Sequence, residues 1–193
     1  MVSVDAAGDG LDANGSIFMT GGTVIVNGPT GNNNGSLDYE DTFEMSGGFL
    51  VAAGSSGMAQ APTEGSEQFA VIMTYSQTQQ AGTIVHLEDS EGNNVVTFAP
   101  SKNYQSIVIS SPNLKQDASY TLYSGGTASG TAAYGLFSDG SYQGGTKVVG
   151  FEIATPVTWL NESGVTEARS GHFGARMVLE EGEKRDLKAG DWR

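Results

Sequence analysis

The feature that most limits the possible folds is an internal repeat. Leu11-Asp12-Ala13-Asn14-Gly15-Ser16-Ile17-Phe18-Met19-Thr20-Gly21-Gly22-Thr23-Val24-Ile25-Val26 aligns without a gap, at a constant offset of 26 residues, with Leu37-Asp38-Tyr39-Glu40-Asp41-Thr42-Phe43-Glu44-Met45-Ser46-Gly47-Gly48-Phe49-Leu50-Val51-Ala52. Leu, Asp, Met and the Gly-Gly pair coincide, and Gly28 meets Gly54 just beyond. Each unit holds two strand-like runs, residues 16–20 and 23–26 in the first, joined by Gly-Gly. Ile17 and Met19 alternate with Ser16 and Phe18, the strand period of two. Gly-Gly supplies the positive φ angles of an abrupt corner without a Cβ penalty. A short strand pair with one apolar side cannot bury that side alone, whereas stacking successive units about 4.8 Å apart does so. The expected fold is therefore all-β, with coils of a right-handed parallel β-helix in which Ile17 lies over Phe43 and Met19 over Met45.

The alternating tetrapeptide Val2-Ser3-Val4-Asp5 reads as the closing strand of an earlier coil, so residues 1–63 are expected to be the C-terminal coils of a longer solenoid. A small-residue connector, residues 54–63, leads into a different pattern. Residues 68–75, 83–88, 94–99, 105–110, 119–123 and 147–153 are β-rich and are punctuated by Pro100, Pro112 and the pairs Gly125-Gly126 and Gly144-Gly145. Residues 64–160 are thus expected to form a mixed or antiparallel β cap. Residues 161–193 change composition abruptly and are expected to be a flexible tail, with at most a short helix near residues 177–187.

Charge narrows the partners. The formal net charge is −13. Residues 1–161 hold 15 acids against Lys102, Lys115 and Lys147, and all four Arg fall after residue 161. An acidic body repels nucleic acid and anionic membrane, which need a cationic face, and favours cations. No apolar run is long enough to span a bilayer, so no membrane insertion is expected of this segment. With no Cys, thiol catalysis, disulfides and zinc-thiolate sites are excluded.

The densest candidate site is Asp5-Ala6-Ala7-Gly8-Asp9-Gly10-Leu11-Asp12-Ala13-Asn14, a Gly-rich loop bearing Asp5, Asp9, Asp12 and Asn14. The second unit repeats the acid at Asp38 and adds Glu40 and Asp41. Calcium takes six to eight hard oxygens, and Gly-rich turns let backbone carbonyls join the carboxylates. Stacking would bring two acids within about 4.8 Å, close enough to share a cation. The same Asp and Asn side chains equally suit turns closed by side-chain to backbone hydrogen bonds. Neither an EF-hand nor a Gly-Gly-x-Gly-x-Asp repeat is present. His86 stands alone on a strand pattern, without a nucleophile motif nearby, and reads as a surface or half-buried packing residue. Tyr39, Tyr104, Tyr123, Tyr134, Tyr142 and Trp159 suit either sugar stacking or cross-strand packing. A body without Arg argues against a calcium-dependent lyase, which would need a base to abstract the proton and neutralise a uronate.

Several segments resemble bacterial carbohydrate-binding domain-containing proteins of the pectate-lyase-like right-handed parallel β-helix type. They are Ala7-Gly8-Asp9-Gly10-Leu11-Asp12-Ala13-Asn14-Gly15-Ser16, Gly-Gly-Thr-Val-x-Val-Asn-Gly-Pro-Thr at residues 21–30, Leu37-Asp38-Tyr39, residues 53–62, Tyr120-Thr121-Leu122-Tyr123-Ser124-Gly125-Gly126 and Gly144-Gly145-Thr146-Lys147-Val148. The resemblance spans roughly residues 2–165. It implies an extracellular or cell-surface protein that binds cellulose-like or acidic polysaccharides such as polygalacturonate, carries Ca²⁺ in its solenoid turns and is not an enzyme. By the same likeness Asp9, Asp12 and Asn14, with Asp38 beside them, lead the calcium candidates. The alternatives are a calcium-dependent polysaccharide lyase and a structural or adhesive surface spacer.

Overall fold

The computed structural model describes residues 1–168, which form strands and loops with no helix among the described residues. The helix expected near residues 177–187 lies outside them. In chain order the strands are β1 (Val2–Asp5), β2 (Leu11–Ala13), β3 (Ile17–Asn27), β4 (Leu37–Tyr39), β5 (Phe43–Gly54), β6 (Ala70–Gln79), β7 (Val85–Asp89), β8 (Asn94–Phe98) and β9 (Tyr104–Ser110). There follow β10 (Ser119–Ser124), β11 (Thr127–Ala128), β12 (Ala132–Ala133), β13 (Leu136–Phe137), β14 (Tyr142–Gln143), β15 (Thr146–Glu152), β16 (Val157–Asn161) and β17 (Gly164–Thr166). The hairpin β16–β17 falls partly in the stretch expected to be a tail. Its rungs Trp159–Thr166, Leu160–Val165 and Asn161–Gly164 pair residues on both sides of that boundary, so the ordered structure runs past residue 161.

The repeat is realised as strand pairing. β3 and β5 lie parallel, with Ile17 opposite Phe43, Met19 opposite Met45 and Val24 opposite Leu50, each at the offset of 26. β2 and β4 keep the same offset, aligning Leu11 with Leu37 and Asp12 with Asp38. Backbone bonds continue the pairing between these strands, from Gly10 N to Gly35 O (3.0 Å), Ile17 N to Thr42 O (2.7 Å) and Gly28 N to Ala53 O (2.8 Å). β1 runs parallel to the second half of β3, Val2 opposite Val24. The two strand runs expected in each unit are one long strand here. The register shifts around residues 20–23 and pairing then resumes, so Gly-Gly is a bend within β3 and β5 and not a turn between strands. Gly22 (φ +83°) and Gly48 (φ +94°) hold the left-handed backbone that the bend requires.

Seven strands form the central mixed sheet, in the order β1-β3-β5-β9-β6-β16-β17. A six-stranded antiparallel sheet, β12-β13-β8-β7-β10-β15, packs on one face. Between them Ile25, Val51, Met73, Ile107 and Ile109 of the first sheet meet Leu87, Phe98, Leu122 and Phe151 of the second. Side chains on the other face, among them Val26, Phe43, Met45, Leu50, Ile72 and Val108, make a second core with Leu37 of β4 and with Ala59 and Ala61 of the connector. Burial on both faces explains the nearly continuous apolar runs of β5, β6 and β9, as expected where a sheet is covered on each side. The small β2–β4 sheet stands at the outer edge of this second core, Leu37 inward and the aspartates outward.

Candidate functional site

The β2–β4 pair is the platform for the acidic residues. Alternation along a strand sends Leu11 and Leu37 towards the core and Asp12 and Asp38 away from it. The parallel register sets these two carboxylates on the same rung. Asp12 is exposed and Asp38 half-buried. Burial, followed by the negative charges of Asp9, Asp12 and Glu40, raises the pKa of Asp38 above its ordinary 3.8. Four of the seven acidic-loop candidates therefore share one electrostatic field.

The remaining candidates are disposed differently. Asp5 forms an ion pair with Lys102, whose ammonium also donates to Ala6 O at 2.6 Å. That contact joins residues almost a hundred positions apart, and the local spacing carries no sign of it. Asp9 Oδ1 accepts a hydrogen bond from Gly35 N at 2.8 Å, again across an offset of 26. With its amide turned to satisfy both ends, Asn34 donates to Asp9 Oδ2 at 3.1 Å. Asp9 thus closes the loop of the next repeat, which is the turn-building role that the sequence left open beside metal binding. Asn14, Glu40 and Asp41 are exposed, and Asp41 reaches the first unit through its backbone N–H, which donates to Gly15 O at 3.2 Å. Among the described residues no three acidic or histidine side chains converge into a metal-binding group. The chain offers an open two-carboxylate ledge, not a closed cage of six to eight oxygens.

No family model, curated protein or solved structure matches the chain.

His86 is buried, deeper than the surface or half-buried packing position expected of it, and its surroundings are polar and aromatic. Its Nδ1 lies 2.8 Å from Thr97 Oγ1 and its Nε2 3.4 Å from Glu88 Oε2, while the ring stacks on Tyr142 at 4.0 Å between centroids. Tyr123 donates to Glu88 Oε1 at 2.9 Å. Burial lowers the His86 pKa, partly offset by Glu88. Each partner is satisfied within the cluster, so it serves packing between β7, β8, β10 and the β14 strand. The other aromatics divide. Tyr104 is buried, and Tyr39 lies edge-on to Phe43 with its hydroxyl bonded to Ala61 O. Tyr134 is exposed, and Trp159 is half-buried at the far end of the central sheet.

Proposed function

We propose that the chain is a non-catalytic module that binds acidic or cellulosic polysaccharide at the cell surface, mounted on the last coils of a right-handed parallel β-helix. The side-by-side strands at an offset of 26 support the coil reading. The observation that carries the functional part is the rung shared by Asp12 and Asp38, whose like charges and raised Asp38 pKa make a divalent cation welcome there. Calcium held on this ledge has most of its coordination shell free, and carboxylates of a polygalacturonate chain are the chemistry that fills it. The ion would then link two acidic polymers that otherwise repel each other.

A lyase is the weaker reading. Its chemistry needs a free base beside the cation, and Lys102, which reaches the acidic loop, is held by Asp5 and Ala6 O. Retention of the protein on polygalacturonate, with calcium and with chelator, tests the proposal. Calcium-dependent retention that falls severalfold in Asp38→Asn is the expected result. Retention indifferent to both, or unsaturated product released from the polymer, would overturn it. Stability that rises with calcium without any glycan retention would favour the spacer.

A further inference from the structure

An asparagine followed by glycine can react with itself, because a glycine N–H with no Cβ beside it approaches the preceding side-chain carbonyl without hindrance. The sequence has three such pairs, Asn14-Gly15, Asn27-Gly28 and Asn34-Gly35. The fold ties down two of them. Asn27 is 4% exposed and its Oδ1 accepts from Ser101 N at 2.8 Å, while the Gly28 N–H donates to Ala53 O at 2.8 Å. In the Asn34 pair the Gly35 N–H donates to Asp9 Oδ1 at 2.8 Å, and the Asn34 amide, turned as described above, donates to Asp9 Oδ2. In both pairs the attacking nitrogen and the amide it would attack are held by other groups. The Asn14-Gly15 corner between β2 and β3 is the exception. Asn14 is exposed, and among the described residues neither its side chain nor the Gly15 N–H makes a hydrogen bond. A Cβ built on Gly15 would meet nothing closer than Asp41 Oδ2, at 3.9 Å, so the corner has room for a ring to close.

We propose that Asn14 is a self-modifying position, a site of spontaneous deamidation selected by the fold. The Gly15 nitrogen bonds to Asn14 Cγ and the Cγ–Nδ2 bond breaks. Nδ2 leaves as ammonia, taking the proton that the Gly15 amide gives up, and a five-membered succinimide remains. Water, the one co-reactant, then opens the ring. Addition at Cγ restores the ordinary backbone with an aspartate in place of Asn14. Addition at the backbone carbonyl carbon routes the chain through the side chain as isoaspartate. Either product turns a neutral amide into a carboxylate and adds one negative charge. Asn14 is the first-unit equivalent of Glu40 at the offset of 26, and it shares the outward parity of Asp12. The modification therefore adds an acid to the ledge. Its consequence for the cation rests on the calcium reading above, whereas the chemistry at Asn14 does not.

Storage of the full chain at neutral pH, followed by cleavage beside acidic residues and mass-spectrometric peptide mapping, tests the assignment. A gain of one mass unit is expected first at Asn14, with isoaspartate among the products by isoaspartyl methyltransferase labelling. Asn34 should react about tenfold to a hundredfold more slowly, because the Gly35 N–H must first leave the Asp9 carboxylate. In denaturant the three pairs should react at comparable rates, since the selectivity comes from the fold. Asn14→Gln should remove the early product. Gly15→Ala, at a position without a positive φ, should fold like its parent and slow the reaction. Modification of Asn27 or Asn34 as fast as Asn14 in the folded chain, or folding that protects Asn14 as strongly as Asn34, would overturn the proposal. Calcium titration keeps the two proposals separable. Asn14→Asp should bind the ion more tightly than its parent, and calcium bound by neither would overturn the calcium reading of the ledge while the mass gain at Asn14 still supports the modification.

Discussion

Replacing Asp38 by Asn should make the protein more stable at neutral pH while weakening any cation it holds. The two carboxylates of the Asp12–Asp38 rung sit on adjacent strands, about 4.8 Å apart by strand spacing. At that separation two unit charges repel by about 0.9 kcal/mol in a water-like dielectric, and a Debye length of about 8 Å at physiological salt roughly halves it. Asp9, Glu40 and partial burial act in the same direction, so the relief from Asp38→Asn is about 1 kcal/mol. For a chain of this size that is a rise in Tm of about 2–4 °C. The pH dependence has a definite sign. The folded-state pKa of Asp38 lies above the unfolded value near 3.8, so the stability linked to its proton is present below 3.8 and is lost as pH rises through the folded value. The variant's advantage is therefore widest at pH 7, closes below about pH 3.8, and shrinks in molar salt. Calcium should reverse the ranking, because a ligand at ten times its Kd adds about 1.4 kcal/mol to the wild type and less to the variant. Calorimetric melts at pH 7 and pH 3.5, with and without calcium, check each part. A variant that melts lower at pH 7 by a margin independent of pH would refute the reasoning, since the carboxylate would then be accepting structural hydrogen bonds.

The stacked core and the bend test the fold itself. Phe43 is fully buried opposite Ile17, and Phe43→Ala should cost about 3–5 kcal/mol in chemical denaturation, whereas a loss under 1 kcal/mol would mean that the ladder is not tightly packed. Gly48 combines φ +94° with a Cβ position 2.8 Å from Gly22 O and 2.9 Å from Met19 Cε. Gly48→Ala should therefore cost about 2–3 kcal/mol, and wild-type stability in that variant would show the bend to be permissive. His86 titrates below its ordinary 6.5 when folded, chiefly because it is buried, so protonation favours the unfolded chain as pH falls below 6.5. His86→Gln should flatten the fall in Tm between pH 7 and pH 5, and an unchanged slope would place the titration elsewhere.

How far the sequence revealed this molecule depends on the distance over which each feature is encoded. The 26-residue offset was legible because inward-facing rungs such as Ile17–Phe43, Met19–Met45 and Val24–Leu50 are apolar on both sides and the Gly-Gly pair recurs between them, and the strands β3 and β5 pair as that alignment requires. The later strands were legible from alternation and Gly/Pro punctuation, yet alternation cannot say which strand is a neighbour. β9 lies between β5 and β6, so it joins the repeat region to the rest in one sheet, an arrangement set by tertiary packing that no local pattern carries. The acidic loop shows the same limit within ten residues. Asp5, Asp9 and Asp12 look equivalent in sequence, but Lys102 draws Asp5 aside, Gly35 N engages Asp9, and Asp12 is left facing Asp38. Asp9 could have been read more closely, because its partner stands one repeat away and a carboxylate at that place can cap the neighbouring turn. Lys102 could not, since its contact to Asp5 depends on how the 101–103 loop packs against the first strand. The His86 cluster is the extreme case, because Thr97, Tyr123 and Tyr142 meet it only when β8, β10 and β14 are folded beside β7. A repeat therefore announces the frame and its rungs, while the sites that depend on chain crossings remain hidden until those crossings are in place. The acidic ledge belongs to the first kind and the His86 cluster to the second, which is why disrupting the 26-residue register should abolish the ledge directly but reach the cluster only through global unfolding.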